Sequence, residues 1–122
     1  MMVSTVNAQT SPAQAVLIEL EAAIQNAPDE LFQGDPVTYT KQQKDALVRK
    51  IDVVISMMGA GENRAAINKL ENDIAPKLTI CDTHRIRARS WLSSTYDYEA
   101  VLTFSERCLG IINEAITLAR QQ

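Results

Sequence analysis

The chain has 122 residues and a mass of 13.5 kDa, which is the size of one small domain. Its 46% hydrophobic and 22% charged content is ordinary for a globular chain, and a chain of this length buries roughly two-thirds of its unfolded surface without metal or dense disulfide support. A net charge of −3 argues against a general nucleic-acid binder, and no apolar run approaches the ~20 residues of a membrane span.

Residues 1–10 are small and polar, without the basic and apolar regions of a signal peptide, and read as a disordered leader. Val6-Asn7-Ala8 ahead of Gln9 also has the small-residue spacing of a cleavage-site tail. Residues 11–122 read as a single helical bundle domain. Ser11-Pro12 marks the first helix, a hydroxyl for the N-cap and then proline at the first helical position. Leu17, Leu20 and Ile24 form its apolar stripe, and Pro28 stops it. Asp29 to Tyr39 is a connector with one short turn over Asp29-Glu30-Leu31-Phe32, and Gly34-Asp35-Pro36 is loop chemistry.

Thr40 and Gln43 form a capping-box pattern, so the second helix is expected from about Lys41 to Met58, with Leu47, Ile51, Val54, Ile55 and Met58 on its stripe. Gly59-Ala60-Gly61 closes it with a tight turn, which sets the next helix antiparallel. That third helix begins near Glu62 with Ala66, Ile67, Leu70, Ile74 and Leu78, and Pro76 kinks or shortens it. The pattern fades from Ile80 to Ser94. Ser94 or Thr95 then caps a long last helix whose inner stripe is Val101, Phe104, Cys108, Ile112, Ala115 and Ala119. Leu102, Leu109 and Ile116 form a second stripe beside it. Nothing alternates with a period of two over strand length. The expected architecture is an all-α, four-helix up-down bundle with an irregular segment before the last helix.

The most unusual local feature is His84-Arg85-Ile86-Arg87-Ala88-Arg89. In an extended loop Arg85, Arg87 and Arg89 share one side and suit a phosphate, sulfate or carboxylate. The plainer alternative pairs them with Glu71, Asp73 and Asp82. Trp91, near Tyr96 and Tyr98, either packs this loop onto the core or forms a contact platform. The candidate binding set is therefore Arg85, Arg87, Arg89, Trp91 and Tyr96. Glu71, Asn72, Asp73 and Asp82 carry oxygens of the kind calcium prefers, but their order does not match the twelve-residue calcium loop, so no metal site is expected. Met57-Met58 either fills the core or lines a soft groove for a partner helix.

No catalytic signature is present: there is no Gly-rich phosphate loop, no GxSxG and no HExxH, and the single His84 stands among arginines. No catalytic residues and no cofactor are expected. The remaining enzymatic reading uses His84 and the arginines on an anionic substrate. Cys81 and Cys108, 27 positions apart, are too distant for a CxxC pair. They are either two free thiols or one disulfide, and the bridge would stabilise by roughly 3.5 kcal/mol.

The run Leu47-Val48-Arg49-Lys50-Ile51-Asp52, the Gly turn, and Ala65-Ala66-Ile67-Asn68-Lys69-Leu70 through Ile74 resemble the helical hairpin of FIMAH-type modules. These are small α-helical domains appended to large secreted or surface-attached bacterial and archaeal proteins. The chain is also similar to cysteine-bearing modules that read Lys-Leu-Glu-Asn-Asp-Ile ahead of a cysteine, here Lys69 to Ile74 before Cys81, with Trp91-Leu92 following. Pro28-Asp29-Glu30 and Phe32 fit the same pattern. The likeness spans Leu20 to Ile116. It departs at Arg85 to Arg89, where Gly, Asp and Lys are expected, and at Cys108 inside the last helix.

The resemblance implies an extracellular or cell-surface, non-enzymatic module for spacing, attachment or protein contact, with a protein partner or a parent surface protein. It transfers no catalytic residues. The alternative is a cytoplasmic helical adaptor or regulator working as a homodimer, motivated by the wide apolar arc of the last helix. Neither nucleic acid nor membrane insertion is expected.

Overall fold

A computed structural model describes residues 11–32, 37–80, 90–93 and 96–121, with the backbone alone for 37–39. Among them are four α-helices and no strand: α1 (Pro12–Asn26), α2 (Val37–Gly59), α3 (Asn63–Lys69) and α4 (Tyr98–Arg120). The expected all-α bundle is the observed fold. Short 3₁₀ turns occupy Asp29–Leu31 and Ala75–Leu78, and a π turn, Leu70–Ile74, continues α3.

α1 starts where the sequence places it. Ser11 Oγ accepts from Gln14 N–H at 3.1 Å and Gln14 Oε1 accepts from Ser11 N–H at 2.8 Å, a reciprocal capping box. Pro28 follows the extended Ala27 that ends the helix. α2 begins at Val37, earlier than the expected Lys41, so Thr40 is not its cap. Thr40 and Gln43 are instead buried on its inner face, ahead of Leu47, Ile51 and Val54. A capping box and an inner stripe share the same three-residue spacing, which is why the pattern misleads there.

α2 closes in a Schellman motif, with Glu62 N–H donating to Met57 O at 2.8 Å and Gly61 N–H to Met58 O at 3.1 Å. Gly61 sits at φ +80°, and a Cβ there would meet nothing within 4 Å. Its requirement is conformational alone, so Gly61→Ala is expected to destabilise by about 1 kcal/mol in urea denaturation. At Gly59 the demand is spatial: an added Cβ would lie 3.0 Å from Gln14 Nε2. That amide donates to Ile55 O at 2.9 Å, tying the start of α1 to the end of α2.

Pro76 acts as expected. It removes an N–H donor and ends regular α-geometry, and the chain passes through the π turn into the 3₁₀ turn that holds it. Leu70, Ile74 and Leu78 are all fully buried along this strip. The last helix is capped by Asp97, whose Oδ1 accepts from Glu99 N–H at 3.0 Å and Ala100 N–H at 3.4 Å. The expected cap at Ser94 or Thr95 is thus displaced to a carboxylate that also favours the positive helix end.

The core is one cluster. α1 packs against both α2 and α4, while α3 and its two continuing turns lie against α2 and α4. Phe32 and Phe104 meet edge to face, with centroids 5.7 Å apart at 66°. The second stripe of α4 is absorbed here: Ile116 is buried, and Leu102 and Leu109 pack partly buried on the core. The large exposed apolar side chains among the described residues are Ile18, Val53 and Tyr96, none of them on α4. Part of the apolar arc of α4 is thus taken up within the fold, with Leu102 and Leu109 only partly buried.

Candidate interaction surface

The segment leading into α4 is stitched down by backbone groups. Trp91 N–H donates to Lys77 O at 2.8 Å and Ser90 Oγ donates to the same carbonyl at 3.2 Å. Ser93 N–H donates to Leu31 O at 2.8 Å, and Leu92 pairs with Phe32 in an isolated antiparallel bridge. Extended backbone sends successive side chains to opposite sides, so Leu92 is fully buried while Trp91 between Ser90 and Leu92 is only half-buried. Tyr96, its N–H held at 3.1 Å by Ser93 Oγ, is 41% exposed. Trp91 thus packs against the core and is half-buried.

Lys77 Nζ lies 5.3 Å from the Trp91 ring centroid, within cation–π range. The same ammonium donates to Asp73 Oδ1 at 2.5 Å and Asp73 O at 2.8 Å. Asp73 Oδ2 accepts from Lys69 at 3.0 Å and from Lys50 of α2 at 3.1 Å. Burial by itself would raise the Asp73 carboxyl, but hydrogen bonds from Lys77, Lys69 and Lys50 outweigh it and hold the group well below the usual carboxylate range. Three ammonium groups share one carboxylate, so this patch beside Trp91 carries a surplus of positive charge.

Of the expected binding residues, Trp91 lies beside Lys77 and Tyr96 is exposed. Arg85, Arg87 and Arg89, together with His84, Asp82 and Cys81, lie outside the described residues, as do the 1–10 leader, the Gly34-Asp35-Pro36 loop and Ser94 and Thr95. Asp73 and Glu71, the acids named for the arginine run, have partners of their own among the described residues. Asp73 is taken by lysines, and Glu71 Oε2 sits 3.5 Å from Arg120 Nη2. Among the described residues no cluster of three or more His, Cys, Asp or Glu is placed to hold a metal ion.

Of the two alternatives for the cysteines, Cys108 is a free thiol. It sits on the inner stripe of α4, fully buried among apolar side chains. Burial pushes the thiol up to about 12, against the lowering effect of Arg107, so it stays protonated and unreactive.

Three further polar features escape a reading by pattern. Lys44 is only 8% exposed; its Nζ donates to Ala27 O and to Asp29 Oδ1 (2.7 Å) and lies 5.8 Å from the Phe32 centroid. Burial first, and then the neighbouring Asp52, push the Glu21 carboxyl up to about 7, and its Oε2 is buried without a hydrogen-bond partner among the described residues. Ser105 Oγ donates to Leu78 O inside the core. The outer side of α2 also carries an open groove lined by Val53, Ser56, Met57, Ala60 and Glu62. Met58 fills the core while Met57 lines that groove.

No helix of the described residues is long and apolar enough to cross a membrane. No protein-family model, curated protein or solved structure matches the chain.

Proposed function

We propose that the chain is a non-catalytic helical module that works by protein contact. Its contact surface is formed by Trp91 and Tyr96 with the Lys50, Lys69 and Lys77 cluster, extended by Arg85, Arg87 and Arg89. The observation that carries this reading is the rigid seating of the 90–93 segment. Its backbone is fixed at Lys77 and Leu31 while Trp91 is half-buried and Tyr96 is exposed. Trp and Tyr on a preorganised backbone are the residues that dominate protein-binding energy. The surplus of positive charge next to them fits an acidic partner and steers its approach.

The buried polar groups support a non-catalytic role, since Lys44, Ser105 and Asp73 are engaged in holding elements together. An extracellular or surface-attached setting, with a partner protein or parent surface protein, rests on the resemblance to FIMAH-type modules. With Cys108 free, that setting draws no support from a disulfide.

Retention on the immobilised chain tests the proposal. Acidic proteins from cells that make it should bind wild type, elute with salt, and be retained at least tenfold less by Tyr96→Ala at unchanged melting temperature. Equal retention by wild type, Tyr96→Ala and the Arg85→Ala/Arg87→Ala/Arg89→Ala variant contradicts this surface.

A further inference from the structure

We infer that Lys50 and Lys69 form a clamp for a phosphate monoester carried by the acidic partner, a role that rests on the protein contact proposed for this surface. Asp73 Oδ2 accepts from both lysines, at 3.1 and 3.0 Å. The two ammonium groups are therefore no more than two hydrogen-bond lengths apart, although one comes from α2 and the other from α3. An ammonium has three donors, and each of these lysines gives one to Asp73. Among the described residues, the other donors of Lys50 and Lys69 have no protein acceptor.

Lys77 has a different part. Its ammonium donates to Asp73 Oδ1 and Asp73 O and faces the Trp91 ring, and its side chain is only 12% exposed. Lys50 and Lys69 are open to a ligand, at 32% and 27%. Lys77 thus buttresses Asp73, and Asp73 positions the other two lysines. A ligand meets a pair already gathered, so little rotamer freedom is lost on binding.

Charge selects the ligand. Three ammonium groups on one carboxylate leave a surplus of two positive charges, and Glu71 on the same strip is turned to Arg120 instead. The lysines hold the Asp73 carboxyl well below the usual carboxylate range, so the balance is fixed at neutral pH. A partner's carboxylate would offset one of the two charges. A phosphate monoester carries about −1.5 to −2 at pH 7 and has three acceptor oxygens. It offsets both charges and gives each ammonium an oxygen of its own. Trp91, against Lys77, sets this group at the margin of the aromatic contact.

Titration of the full chain with a short acidic peptide bearing one phosphoserine, against the same peptide with serine, tests the clamp. The phosphopeptide should bind at least tenfold tighter, and inorganic phosphate should compete with it. Lys50→Gln/Lys69→Gln, which keeps Asp73 paired with Lys77, should bind the two peptides alike. Equal affinities in wild type, or a preference that survives Lys50→Gln/Lys69→Gln, overturn the clamp. A second readout needs no variant: inorganic phosphate should move the Lys50 and Lys69 side-chain NMR signals of wild type further than chloride at equal ionic strength. Equal movement also overturns it. Tyr96→Ala separates the clamp from the contact role. If it weakens both peptides and wild type shows no phosphate preference, the contact stands and the clamp falls. If it changes neither affinity while the preference holds, the clamp stands and the contact at Tyr96 falls.

Discussion

Replacing Asp73 with alanine is expected to cost about 3 kcal/mol of stability, read as a lower urea midpoint at unchanged slope. Its carboxylate holds Lys50 of α2, Lys69 of α3 and Lys77 of the 3₁₀ turn. Removing it leaves three ammonium groups facing one another, Lys77 with little access to water. The loss therefore exceeds that of an ordinary exposed ion pair, worth about 1 kcal/mol or less. Asp73→Asn should recover part of the shape but not the charge. Lys77→Ala in the Asp73→Ala background should restore some stability, because it removes one of the repelling cations. Lys77→Ala in the intact protein should instead destabilise.

Acid separates this cluster from Glu21, whose carboxyl burial and then Asp52 raise to about 7. The Asp73 carboxyl is held low in the folded chain, so its contribution is present above the ordinary value near 3.8 and disappears as pH falls below it. Glu21 acts with the opposite sign and weakens the fold as pH rises toward 7 and beyond. The two together place the stability maximum at about pH 4, between the ordinary values of the two groups, where Asp73 is ionised and Glu21 protonated. Asp73→Ala should remove the acid-side fall and leave the neutral-side one.

Replacing Lys44 is the other large effect. Lys44→Ala is expected to destabilise by about 3 kcal/mol, and Lys44→Met by about 1.5 kcal/mol. The aliphatic stem fills space beside Phe32, and methionine retains most of it. Both variants leave the Ala27 carbonyl at the end of α1 without its ammonium donor, and both lose the Asp29 pair. Since a cation favours a helix C-terminus, the loss falls on α1 and its packing against α2. Hydrogen exchange should show the last turn of α1 opening first, around Ile24.

The two groups differ in how far the sequence revealed them. Lys69, Asp73 and Lys77 stand at successive i, i+4 positions, a spacing that signals ion pairs on one helical strip. Lys50 joins them only because α3 folds back on α2. Lys44 carries no such signal, since its acceptor lies 17 positions earlier and a charge on a helix usually faces water.

Punctuation was legible where steric rules are strict. Ser11-Pro12 starts α1, Pro28 follows its end, and Gly61 takes the left-handed position that turns α2 into α3. It misled where several residues of similar chemistry compete. Thr40 and Gln43 match a capping box yet belong to the inner stripe, and Ser94, Thr95 and Asp97 all suit a cap that Asp97 takes. The candidate surface was legible in Trp91 and Tyr96, because large aromatics stand out among so few. Its lysine component was legible only in part, since the spacing of Lys69 and Lys77 from Asp73 shows in the sequence whereas Lys50 joins them only in the folded chain.

The account turns on protein contact at Trp91 and Tyr96, and site-specific photo-crosslinking addresses it most directly. A photoreactive phenylalanine analogue would replace Tyr96 in one chain and Ala22, an exposed residue of α1, in another. The account predicts that position 96 captures a discrete acidic protein in cells that make the chain, that salt or unlabelled wild type suppresses the product, and that position 22 does not capture it. Equal capture from both positions, or no product from position 96 in the folded chain, would contradict it.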